Sequence, residues 1–115
     1  MLSKDKRLNL KKDFSWVASG KKLESKFLKL FIKYGEDTSP KIGIALSGKS
    51  FKTAVLRNKA KRLTSFAFEQ IYNNLPNSIN IVALPKRGIL EVKSDLVFED
   101  LSLLITNEKI INIAN

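Results

Sequence analysis

The spacing of apolar positions changes repeatedly along the chain, and each change marks an element. Leu8, Leu10, Phe14, Val17 and Ala18 recur at a loose helical spacing, which predicts a short helix with Asp13 near its start and Gly20 as its stop. Residues 21–34 then alternate with period two, as a strand does. Phe27, Lys29, Phe31 and Lys33 fall on one face, and Leu28, Leu30, Ile32 and Tyr34 on the other. GEDTSP at 35–40 has the composition of a turn. Residues 41–47 predict a second strand with Ile42, Ile44 and Leu46 inward. Gly43 and Ala45 leave its other face thin, so that another segment can approach closely.

The central feature follows. From Leu56 onward the period is helical again, with Leu56, Ala60, Leu63, Ala67 and Ile71 on one arc and Arg57, Asn58, Lys61, Arg62 and Ser65 on the opposite one. Asn73-Asn74-Leu75-Pro76 stops this helix. Residues 78–84 are almost wholly apolar, which predicts a strand in the middle of the sheet. Pro85-Lys86-Arg87-Gly88 ends it. Ser94-Asp95 opens a last helix running to about Asn107, with Leu96, Leu103 and Leu104 inward and Glu99 and Asp100 on an acidic outer face. Residues 110–115 carry no clear pattern.

Charge sharpens this picture. The chain has 115 residues and a formal net charge of +10, enough length for one domain with one core, expected over residues 1–115 with its ordered part at about 6–108. The charge is uneven, since residues 1–62 hold 17 cations and five anions while residues 63–115 hold four and six. A solvated basic surface would be more even, so the asymmetry points to a footprint for nucleic acid. Arg57-Asn58-Lys59-Ala60-Lys61-Arg62 is its densest part, and no Asp or Glu lies between Asp37 and Glu69 to neutralise it.

Cys and His are absent, which excludes disulfides, thiolate nucleophiles, zinc fingers and imidazole acid–base chemistry. No carboxylates stand in an obvious metal-binding spacing, so neither a protein-borne catalytic group nor a metal site is predicted. No apolar run approaches the ~20 residues that span a bilayer, and the basic N-terminal stretch lacks a signal-peptide apolar segment. The expectation is a cytoplasmic protein without a membrane partner.

The motif Ala54-Val55-x-Arg57-Asn58-Lys59-x-Lys61-Arg62-Leu63, followed by Ala67-Phe68, resembles the signature helix of the bacterial ribonuclease P protein subunit. Arg7-Leu8, Asp13-Phe14 and Val17 resemble the opening helix of that family, and Lys41-Ile42-Gly43-Ile44 with Ser47 its strand before the basic helix. The likeness spans roughly residues 6–108. It departs at Lys59, where the family has Arg, at Gly48-Lys49, where it has two lysines, and at residues 84–87, where the Ala-Arg-Lys-Pro order is replaced.

The resemblance implies an α+β fold: a single-domain αβββαβα sandwich with a left-handed βαβ crossover, like domain 2 of ribosomal protein S5, and an early short strand near residues 22–25. It implies a protein that assists a catalytic RNA in removing the 5′ leader of precursor tRNA, with the cleaving Mg2+ ions held mainly on RNA and no further protein partner required. Mapped onto this chain, RNA-subunit contacts are expected from Arg57, Asn58, Lys59, Lys61 and Arg62, extended by Lys49, Lys52, Lys6 and Arg7. Asn58 has an alternative role in capping a helical turn. Leader contacts are expected from Phe14, Trp16, Leu30 and Phe31, with core packing as the competing role of each. Asp13 and Glu69 are candidate neighbours of RNA-bound Mg2+. The alternative is a noncatalytic ribosome- or rRNA-associated RNA-binding protein on a similar fold; sequence-specific DNA binding is a distant third. Stimulation of precursor-tRNA cleavage separates the first from the second.

Overall fold

A computed structural model describes residues 2–36, 38–108 and Ile110; the expectations for Asp37 and for the tail after Ile110 lie outside these residues. The elements run α1 (Leu10–Ala18), β1 (Lys21–Glu24), β2 (Leu28–Tyr34), β3 (Lys41–Ile44), α2 (Ala54–Ile71), β4 (Ile79–Pro85) and α3 (Ser94–Asn107). Short 3-10 turns stand at Lys4–Lys6, Tyr72–Asn74 and Arg87–Glu91. This is the expected αβββαβα order.

The sheet order is β1-β2-β4-β3. β1 and β2 form an antiparallel hairpin, β2 pairs antiparallel with β4, and β3 pairs parallel with β4 across the α2 crossover. The apolar β4 is therefore interior, as its composition predicted. Strand parity then divides the core. Leu28, Leu30, Ile32, Ile42, Ile79, Ile81 and Ala83 join the main cluster with α2 and α3. Val82, on the other face, joins Leu8 and Val17 in a smaller cluster under α1, with Leu10, Phe14 and Phe31 packed against it.

Phe27, expected on the same face as Phe31, instead precedes β2 and is buried in the main core. The hairpin turn that puts it there is tied to α3. Asp100 Oδ2 accepts from Ser25 Oγ at 2.6 Å and from the Phe27 amide at 3.0 Å. Asp100 is thus a tether and not part of a solvated acidic face. The inward residues of α3 are Val97, Leu101 and Ile105, whereas Leu96 and Leu103 are exposed. Leu104 is only partly buried.

The basic helix is also turned relative to expectation. Its buried arc contains Ala60, Thr64, Ala67, Phe68 and Ile71, and it takes in Ser65 as well. Thr64 satisfies its hydroxyl by donating to the Ala60 carbonyl at 2.8 Å, so a small polar residue can sit where α2 meets its neighbours. Arg57 and Lys61 consequently lie half-buried at the helix flank, while Asn58, Lys59 and Arg62 face outward.

Two glycines mark close approaches. A Cβ on Gly43 would stand 2.6 Å from Leu10 Cδ2, so the thin face of β3 is where the start of α1 packs. A Cβ on Gly20 would stand 2.2 Å from the Ile32 backbone oxygen. That clash is with main chain and cannot be relieved by a rotamer change. Gly20→Ala is expected to cost roughly 2–4 kcal/mol, read as a lower urea midpoint with an unchanged slope.

Candidate nucleic-acid interface

Thr53 sets where α2 begins. Its hydroxyl accepts from the Leu56 amide at 3.2 Å, the usual N-cap bond. Asn58 lies inside the helix and exposed, so it does not cap. The loop before Thr53 is held by Phe51, whose side chain is fully buried in the main core. Lys49 and Lys52 flank that anchor and are exposed.

Around this loop the cations are fixed by backbone carbonyls. Arg57 Nη1 donates to the Phe51 carbonyl at 3.0 Å. Arg87, from the turn after β4, donates through Nη1 to the neighbouring Ser50 carbonyl, also at 3.0 Å. Lys59 Nζ donates to the Leu90 carbonyl at 3.0 Å. Two guanidinium groups from distant parts of the chain are thus docked on consecutive carbonyls of one loop. Each bond engages one nitrogen of a fork with five N–H donors, leaving donors for an anion. Like charges gathered this way are stabilised when a phosphate bridges them.

Arg87 was absent from the sequence-based candidates; its only signal was the Lys86-Arg87 pair following β4. Its neighbour goes elsewhere. Lys86 Nζ meets Glu24 Oε2 at 2.6 Å and donates to the Ser25 carbonyl at 2.7 Å. Its hydrogen bond and charge hold the Glu24 carboxyl below its ordinary range. A lowered carboxylate pKa favours the folded state at neutral pH and loses that contribution as pH falls through the carboxylate range.

Other expected contacts are distributed as follows. Arg7 and Lys61 line one small cavity with Leu2, Leu8, Ile44 and Ser65, so the N-terminal segment brings a cation to the flank of α2. Lys59 and Arg62 line a groove toward the start of α3. Lys6 is set apart. Its Nζ stands 4.6 Å from the Tyr72 ring centroid, at the far end of α2 from Arg57. Burial raises the pKa of the Tyr72 phenol, which donates to the Pro40 carbonyl at 2.6 Å.

The aromatic candidates belong to the other face of the sheet. Phe14 and Phe31 are half-buried there against the cluster around Val82. Trp16 is 40 % exposed, with Lys33 Nζ 5.2 Å from its ring centroid. Leu30 does not join them. Its side chain points into the main core and is fully buried, so it cannot contact a leader. The parity that exposes Phe31 places Leu30 inside.

Among the described residues, no group of three His, Cys, Asp or Glu side chains is placed to hold a metal ion. Asp13 on α1 and Glu69 on α2 stand on helices that cover opposite faces of the sheet, so they do not share one ion. Among the described residues, no helix is long and apolar enough to cross a membrane.

A family model described as Ribonuclease P matches residues 2–109. A ribonuclease P protein component from Pseudanabaena sp. is 29% identical over 97% of this chain and 98% of its own length. One from Thermotoga maritima is 33% identical over 93% of this chain and 87% of its own. The solved structure of the Thermotoga maritima RNase P protein superimposes with a TM-score of 0.75 at 28% identity, covering 85% of this chain and 94% of that one. The Staphylococcus aureus RNase P protein, at 20% identity, shares the fold with a TM-score of 0.79 over 93% of this chain and 98% of that one.

Proposed function

The chain belongs to the ribonuclease P protein family, and from that membership and its role in ribonuclease P we propose that it binds the catalytic RNA subunit through the flank and outer face of α2 while the α1 face of the sheet receives the 5′ leader of precursor tRNA. The observation that carries the first half is the docking of Arg57 and Arg87 on the consecutive carbonyls of Phe51 and Ser50. Preorganised guanidinium forks bind phosphate without ordering long side chains at the moment of association. Lys61 and Arg7, Lys59 and Arg62, and the exposed Lys49 and Lys52 extend the same surface.

The leader half rests on Phe14 and Phe31, each half-buried against the cluster around Val82, and on the Trp16–Lys33 pair. Bases of a single strand stack on such rings while neighbouring lysines follow the phosphates. The two surfaces lie on opposite faces of one sheet, so one domain can bridge two RNAs.

In this reading Mg2+ ions would be held by the RNA subunit and not by this chain, and would supply the water activation and charge stabilisation that cleavage needs. The chain's own residues position RNA and screen its charge; none is assigned a catalytic step. The complex is expected to work in the cytoplasm without another protein.

Reconstitution tests this. Adding the protein to its cognate catalytic RNA at low Mg2+ is expected to raise precursor-tRNA cleavage; no stimulation, together with tight binding to ribosomal RNA, would favour the ribosome-associated alternative. Lys59→Arg is expected to tighten RNA-subunit binding by roughly two- to fivefold, because a planar fork can reach the Leu90 carbonyl and still grip a phosphate bidentately. A filter-binding titration reads the change.

A further inference from the structure

Val55, Lys59, Arg62 and Phe66 succeed one another at steps of four, three and four on the outward side of α2. Such spacing stacks them in one stripe, with two adjacent cations between an apolar side chain at either end. Packing does not account for Phe66. The helix buries its core arc through Ala60, Thr64, Ala67 and Phe68, whereas Phe66 is 40 % exposed. Together with Lys59, Arg62, Leu63, Glu69 and Ser94, its ring lines an open groove between α2 and the beginning of α3.

We propose that Phe66 is a stacking platform for an unpaired nucleobase of the RNA subunit, with Arg62 and Lys59 holding the adjoining phosphates. The proposal rests on the reading that α2 faces that RNA, and it adds a second mode of recognition to the phosphate contacts. An aromatic face with cations one and two turns away matches a ligand that carries π-faces and anions in alternation, as a single-stranded nucleotide run does. Lys59 is already oriented by the Leu90 carbonyl. The backbone of the bound strand follows Lys59 and Arg62, and the base turns toward Phe66.

Equilibrium binding of the full chain to the cognate RNA subunit tests this, with salt titrations for each variant. Phe66→Leu keeps apolar contact with the groove but removes the ring. It is expected to raise Kd roughly 5- to 100-fold with an unchanged salt slope, since no phosphate contact is lost. Phe66→Trp is expected to bind at least as tightly as wild type. Thermal melts of both variants should match wild type, because the side chain is at the surface. If Phe66→Leu binds at the wild-type Kd while Arg57→Ala binds more weakly, the stacking platform is overturned and the proposed function stands. If the wild-type chain has no measurable affinity for the RNA subunit, the underlying reading falls and the platform with it.

Discussion

The double variant Arg57→Ala, Arg87→Ala is expected to bind the catalytic RNA subunit on the order of a hundredfold more weakly than wild type. Each guanidinium is held on a loop carbonyl through one nitrogen, so each is preorganised and keeps further N–H donors for an anion. Removing both deletes contacts to one shared phosphate or to two separate ones, which should lower the slope of log K against log salt by about one to two. The single variants carry further information. If both groups grip the same phosphate, the double variant loses less than the two single losses combined, because the second deletion acts on a contact already weakened. Strictly additive losses would mean separate phosphates. An unchanged affinity in the double variant would remove the loop-docked pair from the interface.

Phe51→Ala is expected to lower stability by about 3–5 kcal/mol. Phe51 is among the largest fully buried side chains, yet it comes from the connection between β3 and α2. Its removal leaves a cavity in the main core that close-packed neighbours cannot close by small shifts. Urea unfolding measures the loss. The same variant should weaken RNA binding even where it remains folded. The Phe51 carbonyl orients Arg57, and the Phe51 side chain fixes the loop that carries Lys49 and Lys52. A variant that loses stability but keeps wild-type affinity would show that the cations hold their places without this anchor.

Much of the architecture was legible in the chain because period and punctuation agreed. The stop after Ile71, the interior β4 and the extent of α3 all followed from apolar runs bounded by Asn, Pro or Ser. What remained hidden was orientation. The rotation of α2 depends on Thr64 and Ser65, whose small side chains allow close packing but do not register as hydrophobic. In α3 two apolar stripes compete, and only the tertiary setting selects Val97, Leu101 and Ile105 over Leu96 and Leu103. Alternation in β2 separates Leu30 from Phe31 but does not say which side is core, and there the expectation for Leu30 failed.

The basic surface was legible in part for a similar reason. Arg57 and Lys61 announced themselves as a local cluster. Arg87 did not, since its meeting with Ser50 depends on β4 returning the chain beside the loop before α2. Contacts between segments far apart in sequence leave no periodic trace. The anchoring role of Phe51 was missed for the opposite reason: a single aromatic within a polar loop gives no period at all.

The segment before α1 has a separate consequence. Leu8 donates its amide to the Ile42 carbonyl at 3.0 Å, and Arg7 forms a parallel bridge with Ile42. This short pairing covers the outer rim of β3, whose backbone groups would otherwise invite another strand. The opposite rim is defended differently, by the short β1 with Lys21, Lys22 and Glu24 exposed. Charged, abbreviated rims discourage pairing between molecules, whereas an apolar rim needs a cover. Deleting residues 2–8 would bare Ile42 and Ile44 at that rim, so the shortened protein is expected to self-associate through added strands more than the intact chain does, as sedimentation of the two would show.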